Sequence, residues 1–66
     1  MKNFSSICIF TEAGRTYTFR NVSLIIDNET VITFIYSAMS DGLRKEGTFY
    51  KNRIVGISLT EMQQVL

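Results

Sequence analysis

The chain has 66 residues, seven basic and six acidic, for a net charge of +1; 45% of its residues are hydrophobic and 20% charged. That length fits one small β domain over residues 1–66, the near balance of charge argues against a general nucleic-acid binder, and the apolar content excludes a disordered chain. Cys8 is the only cysteine and there is no histidine, so an internal disulfide and a zinc site built from this chain are both excluded.

The first strand is expected from about Ser5 to Thr11, with Ile7-Cys8-Ile9-Phe10 apolar on both faces. Glu12-Ala13-Gly14-Arg15 reads as a hairpin turn in which Gly14 takes the left-handed conformation. Thr16-Tyr17-Thr18-Phe19-Arg20 alternates aromatic and threonine, as a pleated surface prefers. Asn21 marks a bend or bulge, and Val22, Leu24 and Ile26 then alternate with Ser23, Ile25 and Asp27. Asp27-Asn28-Glu29-Thr30 is a polar turn, since Asp and Asn side chains bond the local backbone.

The longest strand is expected from Val31 to about Met39. Ile32, Phe34, Tyr36 and Ala38 face one way; Val31, Thr33, Ile35 and Ser37 face the other. Asp41-Gly42 is a hairpin signal. Leu43 to Lys51 reads as a strand, Lys51-Asn52 as a short turn, and Ile54 to Leu59 as the last strand. The tail, Thr60 to Leu66, has capping-box spacing at Thr60 and Gln63 and places Met62, Val65 and Leu66 on one helical face. It reads as a short C-terminal helical turn or as a frayed end. The sum is an all-β fold, a small antiparallel meander of five to six strands, barrel-like or a strongly twisted sheet.

Catalysis finds no foothold in these residues, and the chain is expected not to be an enzyme. No histidine can serve as base, and the carboxylates mostly fall in turns, which are usually solvated, whereas a general-acid pair needs burial. Cys8 lies among Ile7, Ile9 and Phe10, an apolar setting that suits a small buried hydrophobe better than a reactive thiol. No glycine loop cradles a phosphate and no cofactor is expected. The chain has no stretch of the ~18 apolar residues that a membrane span needs. It is expected to carry no signal peptide and, with one unpaired cysteine, to sit in a reducing cytoplasm.

Two surfaces stand out. Arg44, Lys45, Lys51 and Arg53 surround Phe49 and Tyr50 in the last hairpin. Basic residues interleaved with aromatics form a candidate interaction surface that can bind single-stranded nucleic acid; a charged edge that resists aggregation is the favoured reading of the same residues. The second surface is apolar: Cys8 and Phe10 (or Ile7 and Ile9, if the register is opposite) with Val31 and Ile35. A domain of about 60 residues buries only ~60% of its unfolded surface, and exposed apolar patches mark interfaces. This face is the candidate oligomer contact, a dimer being the simplest form.

Ile7 to Phe19 with its Ala13-Gly14 turn, the long central strand, and Arg53-Ile54-Val55-Gly56-Ile57-Ser58 together resemble the meander of SH3-like and Sm-like small barrels. The Sm RNA-binding signature is not recognisable, so RNA binding does not follow. Thr16 to Val22 and Phe49 to Ser58 also resemble segments of small phage and prophage proteins of Gram-positive bacteria, among them compact anti-defence proteins. That resemblance implies a self-associating, non-enzymatic inhibitor in the host cytoplasm, which binds a host immune protein or sequesters its signal. A small-barrel binder of single-stranded nucleic acid or a nucleotide is the second reading, and a virion structural or assembly protein the third.

Overall fold

A computed structural model describes residues 2–62. Five antiparallel strands form one sheet: β1 (Lys2–Thr11), β2 (Thr16–Asp27), β3 (Val31–Ser37), β4 (Arg44–Tyr50) and β5 (Ile54–Glu61), in the order β4-β3-β2-β1-β5. The all-β, antiparallel expectation holds, with five strands. Lys51-Asn52, expected as a short turn, lies in a 3₁₀ turn over Lys51–Arg53.

The turns form where the local chemistry places them. Gly14 (φ 79°) and Gly42 (φ 72°) occupy the left-handed region. The Asn28 side-chain oxygen accepts from the backbone N–H groups of Thr30 and Val31, at 2.8 and 2.9 Å, and so closes the β2–β3 turn. Asp41-Gly42 sits in a six-residue loop, wider than a two-residue hairpin, because β3 ends at Ser37 and β4 begins at Arg44. Within that loop Gly42 N–H donates to the Ala38 carbonyl and Leu43 N–H to the Asp41 carboxylate.

The strand order makes β4 and β5 the two edges, although only three residues separate them in sequence. Neighbouring strands lie ~4.8 Å apart, so a flat five-stranded sheet would hold its edges roughly 19 Å apart. Four virtual Cα bonds reach at most about 15 Å, and a 3₁₀ turn reaches less. The sheet therefore curls until the end of β4 meets the start of β5 at one corner. The barrel-like expectation is corrected here, because β4 and β5 form no ladder and the sheet stays open. Twist supplies the reason: at roughly 20–25° per strand, the two edges meet nearly at right angles.

Two irregularities bend the long strands. Phe4 and Ile7 are both buried, as are Val22 and, in part, Phe19, although each pair is three residues apart and strict alternation would put its members on opposite faces. The β1–β2 register is constant, with Phe4 opposite Val22 and Ile7 opposite Phe19. Both strands thus switch faces together at Ser5 and Asn21, and Asn21 has φ 54°. Asparagine tolerates that region better than most residues. A second shift, between Leu24 and Ile26, turns Ile26 away from the core. This corrects the reading of Val22, Leu24 and Ile26 as one face: the first two pack inward, and Ile26 is 43% exposed.

The core comprises Phe4, Ile7, Ile9, Val22, Ile32 and Phe34, with Phe19, Leu24, Tyr36, Phe49, Ile54 and Ile57 packed against it. Ile7 and Ile9 therefore point inward, and Cys8 and Phe10 outward. Phe34 stacks on Phe49 (centroids 5.9 Å, planes 8° apart) and meets Phe19 edge-on at 5.2 Å. Gly47 lies opposite Phe34, and a Cβ there would stand 3.3 Å from the Tyr36 ring. A side chain at position 47 would press on the Tyr36 ring, which would have to shift by a few tenths of an ångström.

The expected helical turn begins at Thr60, but Thr60 and Glu61 continue β5. The rest of that expectation, from Gln63 to Leu66, lies outside the described residues.

Candidate interaction surfaces

Alternation along β4 divides the basic–aromatic surface. Arg44 pairs with Ser37 and Tyr50 with Val31, on the outer side of the sheet. Lys45 pairs with Tyr36 and Phe49 with Ile32, on the core side. Phe49 is part of the core packing, while Tyr50 is 62% exposed. The six residues expected to share one surface therefore do not.

Their charges are also largely engaged. The Arg44 guanidinium donates to the Asn21 carbonyl, to Ser37 Oγ at 3.1 Å and to Ser23 Oγ at 3.2 Å. It spans β3 and fastens the bend in β2. Ser23 Oγ in turn donates to Asn3 Oδ1 at 2.9 Å. Asn3, Phe4, Asn21, Val22, Ser23, Arg44 and Met62 line an open depression of about 210 Å³. Lys45 pairs with Asp41 at 3.3 Å, and Lys51 pairs with Asp27. The Leu43 N–H, foremost, and then Lys45 hold the Asp41 carboxyl below the ordinary aspartate range. Arg53 makes no side-chain hydrogen bond or ion pair among the described residues.

The apolar face divides as well. Cys8 pairs with Thr18 and Phe10 with Thr16, near the start of β2; Ile35 pairs with Ser23, in its second half. Cys8 Sγ lies 3.5 Å from Thr18 Oγ1 and is half-buried. Phe10 covers Gly56, where an added Cβ would meet its ring at 3.4 Å. The Cys8–Phe10 group is thus separate from Val31 and Ile35.

Around Val31 and Ile35 a coherent patch remains. On the outer side, β4 presents Glu46, Thr48 and Tyr50 opposite Ile35, Thr33 and Val31 of β3, and Ile26 of β2 lies opposite Thr33. Thr33, at the centre, is only 6% exposed, and its hydroxyl lies 2.9 Å from that of Thr48. Ile26, Val31, Ile35 and Tyr50 therefore surround a satisfied hydroxyl pair. Ile26 and Tyr50 were not expected on this patch. Strict alternation signals Tyr50 once Val31 and Tyr50 are known to pair, whereas the Ile26 turn depends on a bulge.

Among the described residues, no group of three or more His, Cys, Asp or Glu side chains could hold a metal ion. No helix among them is long and apolar enough to cross a membrane. The sequence matches no family model, no curated protein and no solved structure.

Proposed function

We propose that the chain is a non-enzymatic interaction module that self-associates and inhibits a partner protein by covering it with the outer patch of Ile26, Val31, Ile35 and Tyr50. The observation that carries this reading is the exposure of Tyr50 and Ile26 beside half-buried Val31 and Ile35 on the outer side of β2, β3 and β4. Contiguous apolar surface of this kind favours association, and tyrosine is enriched at binding hot spots. The resemblance to phage and prophage proteins supports a host immune protein as partner, met in the host cytoplasm.

The test is a pull-down from the natural host with the wild-type chain and with an Ile26→Lys/Tyr50→Ser variant, each checked for fold by circular dichroism. A captured protein whose complex has a defined mass, and which the folded variant loses, supports the proposal. Equal capture by the variant removes the patch as the functional surface.

Binding of single-stranded nucleic acid or a nucleotide is the second reading. It draws on Arg53 and the basic hairpin, but the internal partners of Arg44, Lys45 and Lys51 weigh against it. A steep salt dependence of binding to a random single-stranded oligonucleotide would favour it. A role in virion structure or assembly would show in the neighbourhood of the gene.

A further inference from the structure

The β1–β2 turn and the 3₁₀ turn before β5 lie side by side, because Thr11 pairs with Ile54. Glu12, Arg15 and Tyr17 from the first and Arg53 from the second line an open depression of about 400 Å³. Both arginines stand on fastened backbone. The Thr11 N–H and hydroxyl donate to the Arg15 carbonyl at 2.9 and 3.3 Å, and Ile54, directly after Arg53, packs against the core. Among the described residues the ion pairs are Lys45–Asp41 and Lys51–Asp27, and neither the Arg15 nor the Arg53 guanidinium makes a hydrogen bond. Tyr17 pairs with buried Ile9 and so faces the core side of the sheet. β3 pairs with β2 only from Arg20 onward, and Tyr17, beyond its reach, is left 41% exposed.

We propose that this depression binds a nucleoside monophosphate, with Arg15 and Arg53 on the phosphate and the base stacked on Tyr17. Two guanidinium groups with free donors match the several acceptor oxygens of a phosphate, which arginine engages in pairs. Every base has a flat π-face, and an exposed aromatic side chain stacks on it. The volume falls within the range of small-molecule sites, ~300–1,000 Å³; an inorganic phosphate would leave the Tyr17 face unused. Glu12 limits the charge of the ligand. Two arginines and one carboxylate leave a single net positive charge in the depression, which suits one phosphate, whereas a longer phosphate chain would set further negative charge against Glu12. The inference rests on the nucleotide reading, moved from the β4 hairpin to these two turns, and is independent of the outer patch.

An amide NMR titration of the full chain with adenosine monophosphate tests it. The shifts should saturate and centre on Glu12 to Tyr17 and on Arg53 and Ile54. Ribose phosphate, which lacks the base, and adenosine, which lacks the phosphate, should each bind at least about tenfold more weakly. Arg15→Gln, Arg53→Gln and Tyr17→Leu should each weaken the nucleotide about tenfold while circular dichroism keeps the wild-type spectrum. Glu12→Gln should tighten it, a gain that a purely structural role for Glu12 would not produce. A dinucleotide with a terminal phosphate that binds more tightly than the mononucleotide, and is weakened by the same variants, supports the site and assigns it to a strand end; equal affinity supports the free nucleotide. No saturable shift at millimolar nucleotide, ribose phosphate as tight as the nucleotide, or wild-type affinity in Arg15→Gln/Arg53→Gln overturns the inference. Weakening by Lys45→Gln in place of Arg15→Gln also overturns it, and returns nucleotide binding to the β4 hairpin. Ile26→Lys/Tyr50→Ser should bind the nucleotide as the wild type does, so loss of partner capture in that variant tests the outer patch alone.

Discussion

β4 and β5 are the same kind of element placed at opposite edges of one sheet, and they are held in different ways. β4 is tied down by side chains: Phe49 stacks on Phe34, Thr48 meets Thr33, Arg44 reaches across β3 to β2, and Lys51 just beyond it reaches Asp27. β5 depends on its backbone ladder with β1, the inward packing of Ile54 and Ile57, and Ser5 Oγ donating to the Thr60 and Glu61 carbonyls. The difference teaches which edge is finished within the chain. Charged residues that also make internal bonds line β4, whereas β5 from Ile54 to Thr60 is an uncharged edge with which, beyond β1, no described strand pairs.

The largest effect removes the difference by removing the sheet. Phe34 is fully buried and touches Phe19, Tyr36 and Phe49. Phe34→Ala is expected to cost about 3–5 kcal/mol, as much as a core this small supplies. Thermal melting should find it largely unfolded at room temperature, with both edges lost together. A wild-type midpoint would mean that the aromatic cluster does not hold the fold.

Glycine exchanges compare the two edges directly. At Gly47 the Tyr36 ring is 3.3 Å from an added Cβ, and Phe19, 4.6 Å from Tyr36 between ring centroids, restricts its retreat. Gly47→Ala should cost about 1–2 kcal/mol through overpacking. At Gly56 the neighbour is Phe10, on the outer side, where the ring can move. Gly56→Ala should be neutral or stabilising by up to ~1 kcal/mol, because glycine weakens a strand interior. Chemical denaturation of both variants checks this, and equal losses would erase the contrast in packing.

The strands and most turns were legible because alternation and turn chemistry are local. Tyr17 and Phe19 between threonines, Asn28 in the second turn, and Gly14 and Gly42 at positive φ all state their roles within a few residues. The two faces of β3 were legible too, since Ile32, Phe34 and Tyr36 alternate with Val31, Thr33 and Ile35 without interruption, but which face is inward was not, because both carry apolar side chains. Pairing order is not local, so nothing in Arg44–Tyr50 or Ile54–Glu61 announces that these strands are the edges. Bulges were the other obstacle. Ser5 gives no sign that Phe4 will share a face with Ile7, and Ile25 gives none that Ile26 will leave the face of Leu24. Charge alone groups Arg44 with Lys45, although adjacent strand residues point to opposite faces.

Arginine replacements sharpen the comparison at smaller scale. Arg44→Ala removes the donor to the Asn21 carbonyl and to two serine hydroxyls, in an exposed setting where water partly compensates. A loss of about 1 kcal/mol is expected. Arg53→Ala should stay within about 0.5 kcal/mol of wild type, as surface changes without such partners do. Urea midpoints measured side by side decide it. Equal values would mean that Arg44, like Arg53, is a surface charge and not a fastening for the bend in β2.

The smallest effect concerns the loop that leads into β4. Asp41 accepts a hydrogen bond from the Leu43 N–H and pairs with Lys45, and its carboxyl titrates below the ordinary aspartate range. A carboxyl depressed by folding stabilises the fold above the unfolded value, and this contribution disappears as pH falls through the folded value. The window therefore lies in the acid range, below the pH at which a free aspartate titrates. Because both partners are exposed, solvent screening keeps the effect on global stability small, and the loop reports it better than a melting curve. A carbon-detected NMR titration should place the Asp41 midpoint below that of an aspartate in an unstructured peptide, with the Leu43 amide shift following the same curve. In Asp41→Asn the Leu43 amide should no longer follow that titration. An Asp41 midpoint at the free value, or a Leu43 amide indifferent to it, would mean that the carboxylate does not order this loop, and that β4 owes its start to Arg44 alone.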